Sequence, residues 1–213
     1  MLHKYYANCF AVFVATNLTI NITIPTQSDP VPVMSVFGWI IIHQRLDYTS
    51  DWSLPWADYK AGFGSIDADF WLGLEKVHLL TSSQPYRLRV EMQQSPTSLW
   101  FSAEYWSFKI GDEVNYKYRL EVSGYSGDAG DALQFEGIWQ TGVAGRKLHN
   151  GMKFSTYDQD NDRSGNNCAL MRNAGWWFNF CELCCLTSGV KHQWKMLSGG
   201  YYLINSRMMI KPP

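Results

Sequence analysis

The sequence predicts one domain of the α+β class: an antiparallel sheet, a few short helices and a long loop-rich stretch. Three observations lead there. Apolar and polar residues alternate with period two in several segments, as half-buried antiparallel strands require. Helical patterns are few and short. From Ser123 to Leu197 the periodicity fades and Gly, Asn, Asp and Ser dominate stretches of it, which in a compact domain marks a functional region or one held by metal and disulfide. No repeat or low-complexity linker divides the 213 residues, a length that suits one large domain.

The elements follow in sequence order. Residues 1–16 carry Lys4 ahead of a brief apolar run, Ala7 to Ala15, and are read as a signal peptide or an N-terminal strand. Next, Asn17, Thr19, Asn21 and Thr23 alternate with Leu18, Ile20, Ile22 and Ile24, as in a surface strand. The same stretch holds two glycosylation sequons, at Asn17 and Asn21, which support secretion. Gly38 to Gln44 is a more continuous apolar run, suited to a central strand. Ser53 can cap a helix with Pro55 in its first turn; Trp56, Tyr59 and Phe63 share its face, and Gly62 and Gly64 end it. Asp67–Trp71 and Leu74–Leu80 read as short helical pieces. Strands are expected around Tyr86–Gln93, Phe101–Tyr105, Tyr116–Val122 and Tyr201–Lys211.

Composition narrows the function classes. Apolar residues make up 46% and charged residues 17%, which supplies a core and argues against disorder. The net charge is −1, and Lys and Arg form no stripe, so a nucleic-acid partner and an anionic membrane surface are excluded. No apolar run approaches the roughly 20 residues of a membrane helix. No Gly-x-Ser-x-Gly elbow or His-Glu-x-x-His pair occurs, the His residues are scattered, and no enzyme is expected. The 10 Trp suit a core, and some can line a ligand pocket.

Two clusters carry chemistry. Asp158, Asp160 and Asp162 alternate in a short turn, where hard oxygen ligands in a flexible loop suit Ca²⁺. The turn is not an EF-hand, because Arg163 and Ala169 stand where that loop needs Gly and Glu; a solvated acidic turn is the alternative. The cysteines are Cys9, Cys168, Cys181, Cys184 and Cys185. Without Cys9, four remain, with three pairings open. Cys168 and Cys181 flank a loop rich in Gly, Asn and Trp.

Several blocks, in order over roughly residues 20–213, resemble the fibrinogen C-terminal domain family. They are Gly38-Trp39 to Gln44-Arg45, WADYKAGFG from Trp56, FWLGLEKVHLLT from Phe70, GYSGDAGDAL from Gly124, HNGMKFST from His149 leading into DQDND, Gly175-Trp176-Trp177 before Cys181, and RMMIKP from Arg207. The resemblance implies that residues 17–213 form a central twisted antiparallel sheet with short helices and a loop-rich calcium- and ligand-binding subdomain. It implies Ca²⁺ held by the side chains of Asp160 and Asp162 and the backbone carbonyls of Ser164 and Asn166, with a Cys168–Cys181 disulfide. It further implies a pocket at Phe180, Cys181, Glu182 and Trp194, with a cis bond at Phe180–Cys181.

The sequence departs from the family at Glu182, where His is common, and at Cys185-Leu186-Thr187-Ser188, where Asn-Leu-Asn-Gly is usual. The loop that follows is shortened, and Met34 lies where a second N-terminal disulfide would need Cys. The function implied is a secreted calcium-dependent recognition module, lectin-like towards acetylated glycans in innate immunity. The alternative is a protein-binding ligand or matrix module, as in angiopoietins and tenascins, with no sugar binding. The partner is an extracellular glycan or protein receptor, and homo-oligomers through Cys184 and Cys185 are a further expectation.

Overall fold

A computed structural model describes residues 17–137, 148–198 and 202–213. The reading of residues 1–16, including Cys9, lies outside them. Strands β1 (Asn17–Ile22), β2 (Val31–Val36) and β3 (Trp39–Arg45) lead to helix α1 (Trp56–Ala61) and the small strands β4 (Phe63–Gly64) and β5 (Phe70–Trp71). Helix α2 (Leu74–Ser83), strands β6 (Arg87–Gln94) and β7 (Trp100–Ile110), the short α3 (Glu113–Tyr116) and β8 (Leu120–Gly127) follow. The loop-rich part holds α4 (Cys168–Arg172), β9 (Cys184–Cys185) and β10 (Gln193–Trp194), and β11 (Leu203–Lys211) comes last. The main sheet runs β1-β2-β3-β11-β6-β7-β8, with β5 joined to β3 and β4 to β5. Its pairings are antiparallel, so the final strand, β11, lies between β3 and β6.

The strand over Arg87–Gln94 alternates strictly, Leu88, Val90, Met92 and Gln94 being buried. β11 is buried almost throughout, as an inner strand is. β1 forms where alternation predicted a strand, but Leu18 stays 65% exposed; Ile20 and Ile22 pack against the core while partly buried, and Ile24 is fully buried.

Three local expectations are corrected. Ser53 does not cap α1: the helix starts after Pro55, whose own side chain offers no cap, and the Trp56 N–H donates to Asp158 Oδ1 at 2.9 Å instead. Asp67–Trp71 is not helical. Ala68 N–H bonds to Ser65 O at 3.0 Å, Gln44 Nε2 donates to Ala68 O at 2.6 Å, and Phe70 and Trp71 become β5 beside β3. Gly64 permits this hairpin, since its φ is +86° and a Cβ there would lie 2.1 Å from Asp69 O. Tyr116 and Tyr118 do not start a strand. Asp112 caps α3 by accepting from Asn115 N–H at 2.8 Å, Lys117 and Tyr118 are left-handed, and β8 begins at Leu120.

An aromatic cluster ties the sheet to the loop-rich part. Phe154 meets Trp177 at 5.1 Å and Tyr59 at 5.2 Å between ring centroids. The Trp177 indole N–H donates to Tyr118 O at 2.7 Å and that of Trp71 to Tyr59 O at 2.9 Å. Phe154, Tyr59, Trp177 and Trp71 are all buried, so their apolar faces and their polar handles are both used in packing.

Candidate functional site

The acidic loop is assembled from its own backbone. Asp162 Oδ1 accepts from Ser164 N–H at 2.7 Å and Oδ2 from Cys168 N–H at 2.9 Å. Asp160 Oδ1 accepts from Asp162 N–H at 3.1 Å. Asn161 anchors the loop through its N–H to Ser155 Oγ at 3.0 Å and its amide to Phe154 O at 2.7 Å. Burial raises the Asp162 carboxyl above its ordinary pKa; the Cys168 and Ser164 N–H groups oppose the rise, and the charge of Asp160 adds to it. Two carboxylates thus sit side by side in a half-buried loop.

Of the three alternating acids, Asp158 has a different task. Its Oδ1 accepts from Trp56 N–H and from Thr156 Oγ at 2.7 Å, placing negative charge at the start of α1, where free N–H groups favour it. The calcium ligands implied by the resemblance leave Asp158 out. Among the described residues no group of three or more His, Cys, Asp or Glu is placed to hold a metal. The expected set uses only two such groups and completes itself with carbonyls. It fits in one further respect: no backbone N–H among the described residues donates to the carbonyls of Ser164 or Asn166.

The loop leads into α4, capped by Asn167 Oδ1, which accepts from Leu170 N–H at 2.8 Å. A disulfide joins Cys168 to Cys181, with Cα atoms 5.2 Å apart. The Phe180–Cys181 bond is not cis: among the described residues the cis bond is Ser95–Pro96. The backbone turns instead at Cys181 itself, at φ +56°, a left-handed conformation that costs a residue with a Cβ energy. The Asn179 N–H bond to Cys181 O at 3.0 Å and the disulfide hold it there.

The expected ligand pocket divides. Phe180 is partly exposed and Cys181 is 8% exposed, whereas Glu182 and Trp194 are both 0% exposed. Glu182 Oε1 accepts from Arg172 Nε at 2.9 Å, Gln193 Nε2 at 2.8 Å and Lys195 Nζ at 3.4 Å. A buried carboxylate needs such counter-charges, and no spacing in the sequence pointed to Arg172 or Lys195 as its partners. The Trp194 indole N–H donates to Ala129 O at 3.1 Å and Gly130 O at 3.0 Å, so the ring belongs to the core.

His149 is a further organiser that the sequence did not single out. Its Nε2 accepts from Leu183 N–H at 3.1 Å, which leaves Nδ1 to donate to Trp177 O at 2.8 Å. Cys184 and Cys185 are unpaired and fully buried. Burial pushes the Cys185 thiol up to about 12, with Glu182 adding to the rise. At the edge strand of the sheet, Asn21 and the following Thr23 of the second sequon are both exposed.

Comparison with known proteins agrees with this architecture. Residues 34–212 match the family model for the C-terminal globular domain of the fibrinogen beta and gamma chains. Bovine fibrinogen-like protein 1 is 36% identical over 82% of this chain and 60% of its own length. The human fibrinogen gamma chain is 42% identical over 78% of this chain and 36% of its own. Human angiopoietin-related protein 1 is 36% identical over 82% and 35%. The chain thus spans from about a third to 60% of these relatives. Among solved structures, the fibrinogen-like globe domain of human ANGPTL2 superposes with a TM-score of 0.80 at 31% identity, covering 92% of this chain and 93% of that one. Lamprey fibrin D-dimer, solved with the peptide Gly-His-Arg-Pro-amide, gives 0.78 at 30% identity, covering 87% and 66%. With the sheet, the bridged loop and these likenesses in agreement, the chain belongs to the fibrinogen C-terminal globular domain family.

Proposed function

We propose that this protein is a secreted, extracellular recognition module that binds a protein partner through the surface around residues 158–168. The observation that carries this reading is the burial of Glu182 and Trp194. A pocket for a small acetyl group needs its wall open to solvent, whereas these two residues are spent on an ion-pair cluster and on the core. A protein partner needs no such pocket; it needs a broad, firmly held surface. Support for a protein partner also comes from the relatives, one of which was solved with a peptide bound. The disulfide and the Asn21 sequon suit secretion. Glycans on Asn17 and Asn21 belong to the same reading.

In this proposal Ca²⁺ is held by the side chains of Asp160 and Asp162 and the carbonyls of Ser164 and Asn166. The ion supplies positive charge between two neighbouring carboxylates and so fixes the loop. Homo-oligomers, if formed, do not use Cys184 or Cys185, because neither thiol reaches the surface. A glycan array probed with and without EDTA, beside an array of extracellular receptor domains, tests the reading. Retention on a receptor domain that EDTA abolishes is expected, with no EDTA-sensitive signal from N-acetylated sugars. EDTA-sensitive binding to those sugars overturns it in favour of the lectin.

A further inference from the structure

The main run of the sheet ends in β1 on one side and β8 on the other, and the two ends are finished differently. β8 is closed by the turn at residues 150–152. Leu120 N–H donates to Met152 O at 2.9 Å, Gly151 N–H to Leu120 O at 2.8 Å and Val122 N–H to Asn150 Oδ1 at 3.0 Å. Past that cap, Gly124 and Gly127 take φ of +73° and +131°, which interrupts the strand as a template. β1 has no such finish. It pairs with β2 over six consecutive positions without a register shift. Outside that pairing, residues 17–22 make no backbone bond among the described residues.

Outer strands are ordinarily blunted by charge, proline or a bulge. The β1 sequence, Asn-Leu-Thr-Ile-Asn-Ile, has no charged residue, no proline and no glycine. Its Thr and Ile favour extended backbone. Leu18 is 65% exposed, and Thr19 and Asn21 are exposed beside it. A short, uncharged, β-prone edge of this kind invites a further strand. A second copy of the same chain fits it directly, because two antiparallel copies of one strand satisfy each other about a twofold axis. What β1 carries instead of charge is a pair of glycosylation acceptors, Asn17 and Asn21. They stand about 13 Å apart along the strand, so together they span most of its edge.

We propose that N-linked glycans on Asn17 and Asn21 cover the open edge of β1 and keep it from pairing with a second copy of this chain. An added strand has to approach to about 4.8 Å, and a bulky, hydrated glycan at either end of the edge denies that approach. The proposal rests on the reading of the protein as secreted and glycosylated. It is independent of the acidic loop, with which it shares no residue.

The test compares three full-length proteins secreted from glycosylating cells: the wild type, Asn17→Gln/Asn21→Gln, and that double variant with Thr19→Lys added. Substitution is used because enzymatic removal of the glycan turns each Asn into Asp, and the new charge would itself blunt the edge. Intact mass reads glycan occupancy, and sedimentation velocity over a wide concentration range reads association. Matched melting temperatures in dilute solution confirm folding. The wild type is expected to stay monomeric. The double variant is expected to reach at least twice the monomer mass as its concentration rises, and Thr19→Lys, which sets like charges against each other across the paired edges, to return it to monomer. A wild type with both asparagines bare overturns the glycosylation reading, and the proposal with it. A glycosylated wild type whose double variant stays monomeric, or associates regardless of Thr19→Lys, overturns the edge-covering role alone.

Discussion

One carboxylate oxygen of Asp158 joins two distant parts of the fold, holding both the first N–H of α1 and the Thr156 hydroxyl. Removing it should cost what a lost helix cap costs, about 1 kcal/mol. Urea unfolding of Asp158→Ala is expected to show that loss, and Asp158→Asn to restore most of it. Buried imidazoles set the acid response. His192 meets Tyr48 Oη at 2.9 Å and Ser206 Oγ at 2.8 Å. Burial lowers its pKa, and nearby Arg45 and His43 lower it further. His43, packed against Trp52 and Trp71, is lowered to about 3 by burial first and then by Arg45. Both residues are neutral in the fold but take up protons near pH 6.5 once unfolded. Their contribution is therefore complete above about pH 7 and falls as the pH drops below about 6.5. Melting temperatures measured from pH 8 to pH 4 should decline through that window, and more gently in a His192→Gln variant. The thiols of Cys184 and Cys185 should resist alkylation in the native state and react on unfolding. Peptide mapping after iodoacetamide checks this, and rapid native labelling would contradict their burial.

The bridged loop is the element on which the candidate surface rests. Cys168 and Cys181 are separated by 13 positions, and closing a loop of that length stabilises by about 3 kcal/mol in the view that a bridge acts by restricting the unfolded state. A Cys168→Ser/Cys181→Ser variant is expected to lose stability of that order and to free the left-handed turn at Cys181. An unchanged urea midpoint would contradict the link. Elements with one wet face were legible in the sequence, because alternation is how such strands are written; Arg87–Gln94 is the clear case. β2 was not legible. Val33, Met34, Ser35 and Val36 are buried on both faces, so they do not alternate, and Pro32 argues locally against a strand. β5 and α3 were misread for different reasons: Gln44, far away in the sequence, holds the turn before β5, and a local cap at Asp112 outweighs the Tyr alternation after it. The disulfide and acidic loop were legible through the family resemblance. The partners of Glu182 were not, since Arg172 and Lys195 meet it only through the fold.

At the scale of the whole molecule, an antiparallel sheet with the final strand set inside it supports an irregular half whose shape is fixed by an aromatic cluster, a disulfide and an acidic turn. The sheet and the cluster place Asp160, Asp162 and the 164–166 backbone in one loop without needing a deep pocket beside it. Removing divalent ions should therefore loosen that loop and leave the sheet intact. Hydrogen exchange in EDTA is expected to rise over residues 158–168 and to stay unchanged over β6 and β11. The most direct test is thermal unfolding of the oxidised protein with and without Ca²⁺, alongside Asp160→Ala. A calcium-dependent rise in melting temperature for the wild type, absent in the variant, is the expected result. A wild type indifferent to Ca²⁺, or a variant that gains as much as the wild type, would contradict an ion-organised binding surface.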